Sequence, residues 1–142
     1  MAFQRAKPEL RGGYYLEISA DESFIAAGFW NPNKEDLLRI RKEIEIDGQE
    51  FKRIINQKKI KDIWGDLRGD EVKTSPKGFT SDHEYIDLIK KKQFIFIKKL
   101  KEKDILDEKF QKELVNYFKS IRPFFDYMSE VLTTNLDGEV II

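Results

Sequence analysis

Residues 13 to 30 read GYYLEI, a polar SADES, then FIAAGFW, and a strand drawn through either apolar run is hydrophobic on both sides. Successive strand residues point to opposite faces, so the pattern predicts a hairpin with strands at 14–19 and 23–30. Pairing Ile18 with Phe24 puts Tyr14, Leu16, Ile18, Phe24, Ala26 and Gly28 on one face. Tyr15, Glu17, Ile25, Ala27 and Phe29 then share the other. Two apolar faces predict a hairpin inside a larger sheet. Gly28 opposite Tyr14 would let the ring lie across the neighbouring strand.

After the hairpin the period changes from two to nearly four. Asn31-Pro32 ends the strand, because proline cannot donate to a ladder. It also opens a helix over 32–47, capped by Asn31 or Asn33 with Pro32 in the first turn. Leu37, Ile40, Arg41 and Ile44 form its stripe, with Leu38 beside it. Asp47 and Glu50 have capping-box spacing for a second helix over 48–57, with Phe51, Ile54 and Ile55 inward. A weaker rhythm runs through Ile60, Ile63, Trp64 and Leu67. GDLRGDEVKTSPKGF, from Gly65, reads as loop with a short strand near Val72.

Ser81 and Glu84 repeat the capping box and predict a helix over 82–92 burying Tyr85, Ile86 and Ile89. QFIFI starts a strand over 93–98 that is apolar on both faces and bracketed by lysines. Phe110, Leu114, Phe118, Ile121, Phe125 and Met128 stand at helical spacing over 107–132, which Pro123 must kink or split. LDGEVII closes the sequence as a turn and an apolar tail, read as an edge strand within the 133–142 tail. Residues 1–12, with Pro8 and the Gly12-Gly13 pair, read as a loop leading in. One hairpin, one later strand and helices between and after predict an α+β fold with a small antiparallel or mixed sheet.

Composition changes this picture little. A chain of 142 residues is expected to be one domain, with eleven phenylalanines as its main core material. Lysine plus arginine balance aspartate plus glutamate at 26 each, so no global field draws nucleic acid or an anionic membrane. The absence of cysteine excludes disulfides, thiolate metal sites and cysteine nucleophiles. MAFQRAKPEL lacks the apolar stretch of a signal peptide. The uncharged runs fall far short of the roughly 20 residues that span a bilayer. A cytoplasmic, soluble protein without a membrane partner is expected.

Candidate chemistry centres on a few residues. Glu17 lies on an apolar strand face and needs a solvent-lined face, a cationic partner or a pocket beside Tyr15. His83 is the sole histidine, so any imidazole chemistry must use it. No nucleophile-elbow motif accompanies it, and a surface position in a first helical turn is the plain alternative. KTSPKGF places Lys73 and Lys77 just before a predicted helix N-terminus, a setting that suits anions or a simple solvated turn. It lacks the glycine spacing of a P-loop. Asp66, Asp70 and Glu71 lack calcium-loop spacing. KKKQFIFIKKLKEK interleaves lysine with aromatics as single-strand binders do. Its phenylalanines belong to a strand apolar on both faces, so flanking lysines that guard against aggregation are the preferred reading. Trp30, at a strand end, reads as core or contact, and Arg41 as an ion pair or an anion ligand.

GYYLEI…AAGFWNP, then RIRKEI, then VKTSPKGFTSDHEYIDLIKKKQF resemble the conserved hypothetical bacterial family called domain of unknown function 2461. The resemblance covers about residues 12 to 127, and the stretch PKGF..DH…LIKKK.F is its most specific part. It implies an α+β architecture and brings no mechanism, substrate or cofactor with it. Two departures accompany it. Family members usually carry an upstream half with a segment like RD.RFSKDK.PYK, and they often have histidine where this chain has Glu17. Without that half the hairpin would expose a sheet edge and an apolar face. Self-association or a separately encoded N-terminal half would then cover them. The expected function is a non-catalytic module that binds a ligand or partner through the hairpin face and the 73–83 loop. Tyr15, Glu17, Trp30, Arg41, Lys73, Lys77 and His83 are the residues involved, with no cofactor or metal. The alternative is an enzyme or enzyme remnant whose other residues lie in the missing half.

Overall fold

A computed structural model of the chain describes residues 1–5 and 7–141. Four strands form one antiparallel sheet in chain order: β1 (Ala2–Gln4), β2 (Gly13–Glu17), β3 (Ser23–Phe29) and β4 (Phe94–Leu100). Among the described residues six α-helices and a 3-10 turn at Pro8–Leu10 accompany it: α1 (Lys34–Ile55), α2 (Lys58–Trp64), α3 (Ile86–Ile89), α4 (Glu102–Ile105), α5 (Phe110–Ser120) and α6 (Arg122–Leu132). The fold is α+β, as the element pattern predicts. Residues 2–4, expected as loop, are instead the strand that pairs along the outer edge of β2.

The hairpin register differs by one residue from the expected pairing. Glu17 faces Phe24, Leu16 faces Ile25, Tyr14 faces Ala27, and Gly28 lies opposite Gly13. A slip of one residue exchanges the faces. Tyr14 and Leu16 therefore join Ile25, Ala27 and Phe29 against the helices, while Tyr15 and Glu17 join Phe24, Ala26 and Gly28 on the other side. The turn explains the slip. The Ser19 amide donates to Ser23 Oγ at 3.1 Å, Ser23 Oγ donates back to the Ser19 carbonyl at 3.2 Å, and the Glu22 amide donates to Ser19 Oγ at 3.0 Å. This network draws Ile18 out of the strand and leaves it 56% exposed. Tyr14, stacked on Phe125 with centroids 4.7 Å apart, holds the new register from the core side.

The helical face of the sheet contributes Ile25, Ala27, Phe29, Phe94 and Phe96 to a core completed by Ile40, Ile44, Phe51, Ile121, Phe125 and Met128. Phe124 sits at its centre with no exposure, its ring centroid 5.2 to 6.2 Å from those of Phe96, Phe29, Phe51 and Phe125. Such tilted and edge-on contacts suit the aromatic quadrupole. Gly28 is required by the strand beside it, since a β-carbon there would stand 2.2 Å from the Phe94 carbonyl oxygen.

The two helices expected over 32–57 are one helix broken at Asp47, whose φ of −144° and ψ of 59° leave the helical region. Both capping residues still act. Asn33 Oδ1 accepts from the Asp36 amide at 2.8 Å, with Pro32 just outside the helix rather than in its first turn. Asp47 Oδ1 accepts from the Glu50 amide at 3.3 Å and restarts the helix. Pro123 splits the long C-terminal helix into α5 and α6. The helix expected over 82–92 shrinks to the single turn of α3. There the Tyr85 amide donates to His83 Nδ1 at 3.0 Å, and beyond α3 the Lys90 carbonyl accepts from the Val72 amide at 2.9 Å. The strand expected near Val72 is reduced to isolated bridges, Arg68 with Ile95 and Glu71 with Lys91. The described residues of the tail pair with one another rather than with the sheet: Thr134 bridges Val140, and the Ile141 amide donates to the Thr133 carbonyl. Ile142, also part of the expected tail, lies outside the described residues.

Candidate functional site

Alternation gives the sheet a second face, on which the register places three cross-strand rows. Gly13, Gly28 and Ile95 form the first, Tyr15, Ala26 and Ile97 the second, and Glu17, Phe24 and Lys99 the third. The helical core packs on the opposite face. Over this one runs a groove of about 850 Å³. Tyr15, Phe24, Ala26, Ile95 and Ile97 line its sheet side, and Pro8, Trp30 and Pro32 line the end where β3 gives way to α1.

Glu17 finds its explanation here. Tyr15 Oη donates to Glu17 Oε2 at 2.7 Å, and the Tyr15 ring stacks beside Phe24 with centroids 5.9 Å apart. The two residues stand two apart on one strand and so point the same way. The carboxylate anchors the ring from the rim of the groove, and that hydrogen bond, with the charge behind it, raises the tyrosine pKa. On the same row Lys99 approaches Glu22 at 3.6 Å.

The far end of the groove is polar and closed on itself. Arg11 Nε donates to Asp36 Oδ2 at 3.0 Å and Nη2 to Oδ1 at 3.1 Å, a two-pronged pair whose planarity favours arginine. Asp36 occupies the first turn of α1, where the helix dipole favours a carboxylate, and its side chain is 11% exposed against 35% for Arg11. Arg11 carries a φ of 60°, the one positive φ among described residues other than glycine. Gly12 follows at 74°, where a β-carbon would press to 2.8 Å from the Phe29 ring. These two residues turn the chain into β2.

The other expected site residues lie elsewhere. Arg41 Nε donates to the Ile89 carbonyl at 2.7 Å and Nη2 to that of Lys91 at 3.0 Å, clamping α1 to the end of α3. Burial there lowers its pKa. His83 is half-buried, with its ring 5.9 Å from that of Tyr85, and Lys73 and Lys77 are exposed in the loop before it. None of these four lines the groove. The structure thus brings Tyr15, Glu17 and Trp30 to one face and leaves Arg41, Lys73, Lys77 and His83 apart from it. The lysines around β4 have local partners: Lys90 and Lys91 reach Glu71 at 3.8 Å, and Lys98 lies 5.0 Å over the Tyr117 ring.

Arg11 and Asp36 escape a sequence reading. Nothing in their spacing, 25 residues apart, announces a pair; only the acidic first turn of a capped helix hints that a cation stands nearby. Among the described residues no group of histidine, aspartate and glutamate is arranged to hold a metal ion, and no helix is long and apolar enough to cross a membrane. The model of the family described as Conserved hypothetical protein (DUF2461) matches residues 1–127. No curated protein and no solved structure matches the chain.

Proposed function

We propose that this chain, which belongs to the conserved hypothetical protein family DUF2461, is a non-catalytic binding module whose ligand or partner rests on the open face of its sheet. The groove itself carries the reading. Its volume of about 850 Å³ falls among those of pockets that hold small molecules, and its lining is mostly apolar with a few placed polar groups. Ala26, Gly28 and Ile95 are already buried, so the apolar area a ligand would remove from water lies on the half-buried Tyr15, Phe24, Trp30 and Ile97. What supports binding over catalysis is dispersion: a reaction needs nucleophile, base and charge stabiliser within reach of one atom. Here His83 Nδ1 accepts from a backbone amide and Arg41 is spent on carbonyls, both away from the groove. The proposal therefore rests on the hairpin face and leaves the 73–83 loop out.

A screen of small organic fragments of mixed charge and shape, read by amide NMR shifts, tests it. Hits are expected to gather at Tyr15, Ala26, Gly28 and Trp30 and to vanish in Ala26→Arg, whose side chain fills the groove. Hits confined to the 73–83 loop, or none, would end the proposal. Light scattering on the same two proteins reads self-association through this face, which Ala26→Arg would abolish.

A further inference from the structure

We infer that the groove takes a protonated organic amine, its apolar body on Tyr15 and Phe24 and its ammonium head against Glu17. The inference deepens the binding role proposed above and rests on it. Three observations lead there.

The first is which surface stays open. Ala26, Gly28 and Ile95 are buried, while Tyr15, Phe24, Ile97 and Glu17 are half-buried. The register sets these four on adjoining rows, Tyr15 with Ala26 and Ile97, Glu17 with Phe24 and Lys99. A ligand therefore finds apolar contact beside the carboxylate. The remaining half-buried ring, Trp30, stands at the other end, where Arg11 and Asp36 close on each other.

The second is an unmatched charge. Glu17 Oε2 accepts from Tyr15 Oη at 2.7 Å, and among the described residues no cation pairs with the carboxylate. Two cations on neighbouring strands are engaged elsewhere. Lys99 reaches Glu22 at 3.6 Å, and the Met1 amino group donates to the Leu16 carbonyl at 2.7 Å. One negative charge is left over at the rim.

The third is the tie between ring and charge. Because Tyr15 is bonded to Glu17, a ligand laid on that ring takes water from the carboxylate as well. An apolar or anionic ligand would leave the charge dry and unpaired, which is costly. A cation offsets the loss with a charge-assisted hydrogen bond. An ammonium has three donors, and the second oxygen of Glu17 and the lone pairs of Tyr15 Oη can accept them. The methylene groups next to the nitrogen then lie on the rings, whose negative faces favour positive charge.

Four probes of one chain length separate the possibilities: hexylamine, hexanol, hexanoate and hexyltrimethylammonium. Each is titrated at neutral pH into the full chain and followed by the amide NMR shifts of Tyr15, Glu17 and Phe24. Hexylamine, protonated at that pH, is expected to bind about fivefold tighter than hexanol, the upper end for an exposed ion pair. Hexanoate should bind weakest, and the quaternary probe should fall short of hexylamine because it has no N–H. Glu17→Gln keeps the shape and an acceptor for Tyr15 but not the charge. It should bring hexylamine down to hexanol and leave hexanol no weaker, whereas a merely structural role for Glu17 would weaken all four probes together. Added salt should shrink the hexylamine preference in the parent. Circular dichroism confirms that the variant folds. Hexanol or hexanoate matching hexylamine, or a preference that survives Glu17→Gln, would overturn the amine while leaving the groove as a binding face. The quaternary probe matching hexylamine would overturn the hydrogen-bonded head. Fragment hits in the groove without hexylamine binding would also overturn the amine alone. If no probe binds while the fragment screen misses the groove, both proposals fall. Groove shifts that grow with protein concentration alone would assign the face to a second copy instead.

Discussion

Replacing Gly28 by alanine tests the close approach of β3 and β4 directly. The new β-carbon would sit 2.2 Å from the Phe94 carbonyl oxygen and 2.8 Å from Ile95 Cα, with Gly28 at a φ of 158°. Relief requires about 1 Å of movement in backbone, not in a flexible side chain. Overpacking of that kind costs about 1–3 kcal/mol. Opening the ladder at Phe29–Phe94 adds about 1 kcal/mol for a lost hydrogen bond. The stiffer unfolded chain returns about 0.4–1 kcal/mol. The balance is a loss of about 1–3.5 kcal/mol, or roughly 3–11 °C in Tm for a chain of this size. Gly65→Ala is the control: its φ is 76°, but a β-carbon there meets nothing within 4 Å. That change costs only the left-handed conformation, about 1 kcal/mol. Urea and thermal unfolding of both variants give the comparison. Gly28→Ala as stable as the parent, or losing no more than Gly65→Ala, would refute the claim that strand contact demands this glycine.

Other outcomes follow from single contacts. Phe124→Ala should lose about 3–5 kcal/mol in urea unfolding, since the site is fully buried among four rings. Tyr127→Phe should be neutral or stabilising by about 1 kcal/mol, because its buried hydroxyl has no hydrogen-bond partner among the described residues. Burial, with the charges of Glu43, Asp47 and Glu50 behind it, raises the Tyr127 pKa. The native state therefore keeps a proton that the unfolded state releases above pH of about 10, and stability should fall from there upward. Tyr127→Phe should flatten that alkaline decline. Arg11→Ala should cost about 1–2 kcal/mol by leaving Asp36 without its charged partner, with the loss read from thermal unfolding.

Much of the scaffold could be read from periodicity and caps. The stripe through Ile40 and Ile44, the caps at Asn33 and Asp47, and the break at Pro123 all depend on neighbours within a turn or two. What could not be read depends on distant or unusual geometry. The hairpin register was decided by hydroxyls in the Ser19–Ser23 turn, which hydrophobic pattern does not describe. β1 is three residues long, too short to carry a periodic signal, and Pro8 and Gly12-Gly13 follow it in the same stretch. Arg41 sits on the buried stripe of α1, yet only the folded structure shows that its guanidinium reaches the end of α3. The groove was hidden for a subtler reason. Strands apolar on both faces suggest cover on both sides, and here the same composition serves one packed face and one that borders open space.

The break at Asp47 has a consequence for how α1 yields. An ordinary helix unravels from its tips, where amides lack partners. This one carries a second start in its middle, with the Arg41 clamp on one side and Phe51 in the core on the other. Each half is pinned to a different neighbour, and the joint between them is tied by the Asp47 side chain and roofed by the Tyr85 ring, which lies on buried Gly48. The two halves should therefore come away separately, the waist opening only when that ring lifts.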